Sequence, residues 1–261
     1  MRFALIAAGI LAVTAPAYGA DILYDQDFES PNGFVNDGGD INLTRTVNQL
    51  YGGQPAGFFF SQQYTVETLR IGGTEAFGVG YQDPAGIGGQ YTLSMQNGAQ
   101  NDQLGLAFNV GDYQYLNLRM DISSIDLDRF GQPFVPAGGA APVFLFSLYD
   151  NPGGALGLGS GTALDSFEIA GLLNPSKNVF LWSEALGGLD ASGSTNGNVI
   201  LRIDLIAGGY AAFDNLRIVA SDIKGDVGAV VPEPATWAMM LLGFGAIGST
   251  LRRRKTRAAH A

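Results

Sequence analysis

The side chains able to do chemistry in this 261-residue chain are nearly all carboxylates and aromatics. There is no cysteine, and the one histidine, His260, sits at the extreme C-terminus. A Ser-His-Asp or Cys-His site needs an imidazole base beside its nucleophile, and a structural zinc site needs His or Cys ligands. The body of the chain supplies neither. No Gly-x-x-x-x-Gly-Lys phosphate loop occurs, and the Gly-x-Gly strings are not followed by a helical pattern. What remains is carboxylate chemistry, in which two Asp or Glu residues face each other across a glycosidic bond. Ahead of the tail there are five glutamates: Glu29, Glu67, Glu75, Glu168 and Glu184. Glu67 and Glu184 fall on or beside strand patterns, but charges on an exposed strand face are ordinarily just solvated. No constellation assigns a catalytic residue. The chain therefore reads as a non-enzyme, with a carboxylate-dependent glycan hydrolase or lyase as the alternative.

Aromatic rings supply a binding chemistry, because sugars stack on them. Most strand aromatics belong to a core, since they bury the most area. Tyr51 and Tyr81, which fall in loops, and Trp182, two residues from Glu184, are the ligand-binding candidates. A cation is the other candidate. The chain body opens on Asp27-Phe28-Glu29 and closes on Phe213-Asp214-Asn215-Leu216, with Ile218 beyond. Asp214 shares strand parity with Leu216 and Ile218, so without a bulge its carboxylate faces the core. A buried carboxylate needs hydrogen bonds or a cation. Asp27, Glu29 and Asp214 are thus candidate calcium ligands; an Asp closing a turn is the competing reading, because calcium takes six or more oxygens. These opening and closing segments are similar to those of jelly-roll carbohydrate-binding modules and related lectin-like sandwiches. That resemblance implies neighbouring first and last strands and a structural calcium close by.

The elements that must carry these groups repeat with a period of two. Leu116, Leu118, Met120 and Ile122 alternate with polar residues, as do Val199, Leu201, Ile203 and Leu205. Ten further segments read as strands: 22–28, 41–47, 57–62, 64–71, 90–95, 104–110, 143–149, 166–170, 179–182 and 212–219. The separators are rich in Gly, Pro, Asn and Asp. Short strands with such punctuation predict an all-β fold, an antiparallel, jelly-roll-like β-sandwich spanning residues 21–220. Long Gly-rich stretches at 71–89, 129–142 and 151–163 read as loops, where binding residues commonly sit. Residues 221–231 read as a linker.

Both ends carry export signals. Arg2, an apolar run from Ala4 to Val13 and small residues up to Ala20 form a signal peptide, 1–20, for the Sec machinery and signal peptidase. At the other end, Trp237 to Leu251 is uncharged, and five basic residues follow it within six positions. A helix over 236–251 is short for a bilayer span of about 20 residues, and its basic flank stays cytoplasmic. Without residues 1–20 and 232–261 the chain keeps eight basic and 23 acidic residues, a net charge of −15. A surface so acidic excludes nucleic acid as a partner. Pro232-Glu233-Pro234, then Trp237-Ala238, then the apolar run, then Arg252-Arg253-Arg254 resembles the PEP-CTERM sorting signal of Gram-negative bacteria. The resemblance covers the tail, 232–261. It implies recognition and removal by the membrane enzyme exosortase, transient residence in the inner membrane, and delivery to the cell surface or matrix. It also implies association with extracellular polysaccharide. A purely structural matrix or adhesion role stays open beside glycan binding.

Overall fold

The computed structural model describes residues 19–51, 60–62, 67–97, 101–125, 140–173 and 178–228. The chain divides into two units, Met1–Val227 and Gly228–Ala261, and all but one of the described residues belong to the first. Among the described residues no helix is long and apolar enough to cross a membrane. The helix expected at 236–251, the signal peptide up to residue 18 and the sorting-motif side chains lie outside the described residues.

The first unit is an antiparallel sandwich of twelve strands among the described residues. One sheet holds β1 (Ala20–Gln26), β2 (Ile41–Asn42), β4 (Glu67–Arg70), β5 (Tyr91–Gln96), β7 (Tyr115–Ser124), β10 (Ser183–Asp190) and β12 (Tyr210–Ser221). The other holds β3 (Phe60–Gln62), β6 (Gln103–Asn109), β8 (Val143–Asp150), β9 (Ala163–Ala170) and β11 (Asn198–Ala207). The first sheet is ordered β10-β7-β12-β5-β4-β2, and β1 also pairs with β12; the second is ordered β3-β6-β11-β8-β9. The last eight strands thus fall into β5-β12-β7-β10 and β6-β11-β8-β9, two interlocked Greek keys, which is the jelly-roll order. First and last strands are neighbours, with Ala20 opposite Ser221 and Gln26 opposite Leu216.

The period-two pattern becomes the core. Leu116, Leu118, Met120 and Ile122 of β7 and Val199, Leu201, Ile203 and Leu205 of β11 are all buried between the sheets. Phe213 of β12 meets Phe144 of β8 at 6.4 Å and Phe28 at 5.8 Å, both edge to face, the geometry aromatic pairs prefer. A second, smaller core lies on the outer side of the first sheet. Ile41, Leu69, Tyr81, Phe180, Trp182 and Tyr210 contribute to it. The 71–89 stretch, expected to be a binding loop, is part of this cover: its Tyr81 stacks on Phe180 at 5.9 Å.

Three local expectations change. The strand expected over 41–47 stops at Asn42, and a short helix, α1 (Val47–Leu50), follows. Its capping box is Thr46 with Gln49, whose side-chain oxygen accepts from the Thr46 amide at 2.9 Å. The strand expected over 179–182 is a loop, apart from a Gln82–Val179 bridge; the strand begins at Ser183 and runs through Gly187-Gly188. Glycine weakens a strand, yet here the Phe167 ring occupies the space a Gly187 side chain would need. Finally, the segment read as a linker from Ser221 starts as the end of β12 and is then held back on the sheet by Asn117. Gly187→Ala is expected to destabilise the fold by about 1–3 kcal/mol through overpacking against Phe167, read as a lower denaturant midpoint at unchanged slope.

Candidate functional site

A bulge in β12 builds the most unusual polar corner of the domain. Asn215 takes φ 50°, and the pairing of β12 with β7 slips between Asp214 and Arg217. One extra residue reverses strand parity. Phe213, Leu216 and Ile218 all enter the core, so Asp214 points to the opposite face. This corrects the core-facing orientation expected from the sequence.

Asp214 is nevertheless only 1% exposed. Its Oδ1 accepts from the Asn215 amide at 2.6 Å, and its Oδ2 is buried with no hydrogen-bond partner. The neighbouring Thr92 hydroxyl gives its proton to the Phe213 carbonyl at 2.8 Å. Burial pushes the Asp214 carboxyl up to about 9, and the charges of Glu29 and Asp121 add to the shift. Asp121 lies directly opposite Asp214 on β7, and Glu184 opposite Asp121 on β10. Asp121 is also raised, first by burial, although Asn215 and Arg119 pull it back. The Asn215 side-chain amide bridges Asp121 Oδ2 at 2.9 Å and the Ile87 carbonyl at 3.1 Å. Glu29 is fixed by the Gln90 amide at 2.9 Å and the Tyr91 amide at 3.3 Å.

Of the three expected cation ligands, Glu29 and Asp214 are thus brought within electrostatic reach of each other. Asp27 is not: its carboxylate closes a turn by accepting from the Glu29 amide at 3.1 Å. Sequence reasoning missed Asp121. Its parity, between Met120 and Ile122, was readable; the strand that opposes it was not. Among the described residues no three His, Cys, Asp or Glu side chains converge closely enough to hold a metal ion by themselves.

The expected binding aromatics are corrected. Tyr51 is 3% exposed and donates to the Phe28 carbonyl at 2.8 Å. Tyr81 is 0% and Trp182 8% exposed, both inside the smaller core. None offers a ring face to a sugar, because Tyr51 packs in the main core against Phe28 and Tyr81 and Trp182 pack in the smaller one. Among the described residues a cleft lies elsewhere, where the β8–β9 connection crosses the outer face of the second sheet. It has a volume of about 380 Å³ and is lined by residues including Asp150, Asn151, Leu156, Gly157, Ser160 and Ile200. Asn151 clamps the loop, donating to the Ala155 carbonyl at 2.9 Å and accepting from its amide at 3.1 Å. Gly105 of β6 lets the loop lie flat, since a side chain there would overlap the Gly157 carbonyl. Asp150 is the one carboxylate in the lining. Thr195 holds it, through its hydroxyl at 2.6 Å and its amide at 3.0 Å, and these bonds keep its carboxyl below the usual range. The cleft therefore offers backbone polar groups and an apolar floor, without a facing carboxylate pair.

Residues 230–255 match the family model described as the PEP-CTERM protein-sorting motif. No curated protein matches the chain by sequence. Among solved structures it is similar to a cyclase from Fischerella sp. TAU, at 14% identity and a TM-score of 0.43, over 77% of this chain and 98% of that one. It is similar to the C-terminal family 22 carbohydrate-binding module of Clostridium thermocellum Xyn10B at 13% identity and a TM-score of 0.37, over 77% and 94% of the respective chains. It is also similar to the enzymatically active domain of bacteriophage CBA120 tailspike protein 4, at 11% identity and a TM-score of 0.33. That match covers 64% of this chain and 19% of the tailspike chain.

The Asp214 corner makes stability depend on pH. Its folded carboxyl titrates at about 9 against an ordinary 3.8, so the folded state holds a proton that the unfolded chain gives up. The stability this proton confers is complete below about 4 and is lost as pH rises through about 9. In metal-free buffer the melting temperature of the wild type is expected to fall between pH 5 and pH 9. Asp214→Asn, which mimics the protonated acid, is expected to remove most of that decline.

Proposed function

We propose, from the premise that residues 230–255 carry a PEP-CTERM protein-sorting motif, that this is an exported, exosortase-processed surface or matrix protein whose jelly-roll domain binds extracellular polysaccharide without transforming it. The motif carries the proposal: it stands in order at the C-terminus, behind a signal peptide and a folded, strongly acidic body. Binding is supported by the cleft under the β8–β9 loop, where the carbonyls and amides of a glycine-rich loop face an apolar floor at Ile200. Sugar hydroxyls find such paired donors and acceptors without needing a charged side chain. The lone, already engaged Asp150 supports binding over hydrolysis, which needs two carboxylates. The hydrolase alternative has one observation of its own, the cross-strand pair Asp121 and Glu184; there Arg119 holds Glu184 at 2.6 Å.

A structural calcium belongs to the same proposal. The orphaned Oδ2 of Asp214, within electrostatic reach of Glu29 and Asp121, is the kind of buried negative charge that a hard cation neutralises. Protonation is the alternative neutralisation. Backbone carbonyls and water would have to complete the shell.

Two outcomes are expected. In cells, intact mass and fractionation should show wild type lacking both ends and released from the inner membrane, with Glu233→Ala retaining its tail there. In vitro, millimolar calcium should raise the melting temperature at pH 8 in wild type and leave Asp214→Asn unchanged.

A further inference from the structure

Asn117 stands on the outer face of β7 and is 0% exposed. A buried side-chain amide needs partners, and this one takes them from the chain that ends and follows β12. Its Nδ2 donates to Ser221 Oγ at 2.9 Å and to the Ile223 carbonyl at 3.1 Å, and its Oδ1 accepts from the Gly225 amide at 2.6 Å. Ser221 Oγ in turn donates to the Ile223 carbonyl at 2.8 Å. The residues under the segment leave room for it. A side chain at Gly188 would overlap Asn117 Oδ1 and press on the Gly225 nitrogen at 2.9 Å and Lys224 Cγ at 3.0 Å. Gly225 itself turns the chain at φ 82°. Where composition predicted a plain linker, the chain makes a clasp.

We infer that this clasp restrains processing of the tail by controlling how much chain is available ahead of the sorting motif. With the clasp closed, six residues, 226–231, separate Gly225 from Pro232; with it open, ten residues, 222–231, separate Ser221 from it. An enzyme that cuts at a linear motif takes an extended stretch of substrate into its cleft, so chain still bonded to a folded body is withheld from it. Such local segments open with free energies well below that of global unfolding. When opening is fast relative to cutting, the cutting rate follows the open population. Asn117 is a positioning residue here, acting on the motif through the length of chain it releases. The inference rests on the sorting reading of the tail.

Three variants of the full-length protein, expressed in a bacterium that carries an exosortase, test it by pulse-chase of the tail-bearing precursor. Asn117→Ala removes the clasp's hydrogen bonds, Gly188→Ala evicts the strap sterically, and a six-residue Gly-Ser insertion between Val227 and Gly228 supplies free chain while leaving Asn117 intact. All three are expected to lose the tail several-fold faster than wild type. Hydrogen exchange of the Gly225 amide should quicken only in the first two, with the β7 and β12 amides still protected. Equal rates in wild type and all three variants would overturn the clasp while leaving the sorting reading standing. A wild type that keeps its tail indefinitely, like Glu233→Ala, would overturn both.

Discussion

One inserted residue in β12 governs much of this molecule. β12 is the central strand of its sheet, paired with β7 along one side and with β5 and then β1 along the other. The bulge at Asn215 falls where β5 hands over to β1. It lets Phe213 and Leu216 both enter the core, and the cost is a carboxylate, Asp214, turned outward and then covered. A buried charge without a partner is among the most expensive features a fold can hold. The neighbourhood limits that cost by leaving a proton on Asp214, by spending the Asn215 amide on Asp121 and Ile87, and by tying Glu29 to two backbone amides. The corner loses stability as that proton leaves.

The same economy separates the two outer faces. On the β12 sheet, the 71–89 stretch and the 178–182 segment close over the strands and form the smaller core, while the clasp at Asn117 covers part of the remainder. These covers close part of that face and leave Arg119, Glu184 and Leu186 exposed on the rest. On the other sheet, the β8–β9 loop is held at its base by Asn151 and by the flat passage over Gly105, and it leaves space beneath it. The cleft is a consequence of that loop spanning two strands without side chains large enough to fill the gap.

The jelly-roll itself was legible from the sequence because its core strands, β7 and β11, alternate cleanly. β10 was not, since Gly187 and Gly188 erase its pattern and the filling groups, Phe167 and Asn117, come from other strands, β9 and β7. α1 begins at the last residue of an expected strand, 41–47, and was not read, although Thr46 and Gln49 are a capping pair. The pairing of β1 with β12 was implied by the resemblance of the opening and closing segments to jelly-roll modules, and Glu29 and Asp214 were grouped on the same resemblance. The bulge that sets which way Asp214 faces was not legible, because parity shows a bulge only when the register of both strands is known. Tyr51 and Tyr81 were misplaced for a related reason: a loop that packs into a core has the same composition as a loop that is open to solvent. Trp182, expected on a strand beside Glu184, sits in a loop that packs into the smaller core. The tail was read from local motifs, which need no tertiary partner to be recognised.

The PEP-CTERM sorting motif at residues 230–255 indicates export and sorting to the cell surface, and the role proposed for the jelly-roll there is to bind polysaccharide. The most direct measurement is the affinity of the processed protein for the extracellular polysaccharide of the bacterium that makes it, by calorimetry, alongside Gly105→Ala. That substitution pushes the Gly157 carbonyl and reshapes the cleft under the β8–β9 loop. Saturable binding by wild type that weakens in Gly105→Ala, at a temperature where both are folded, is the predicted result. No binding by wild type, or equal binding by both proteins, would contradict the cleft as a glycan site.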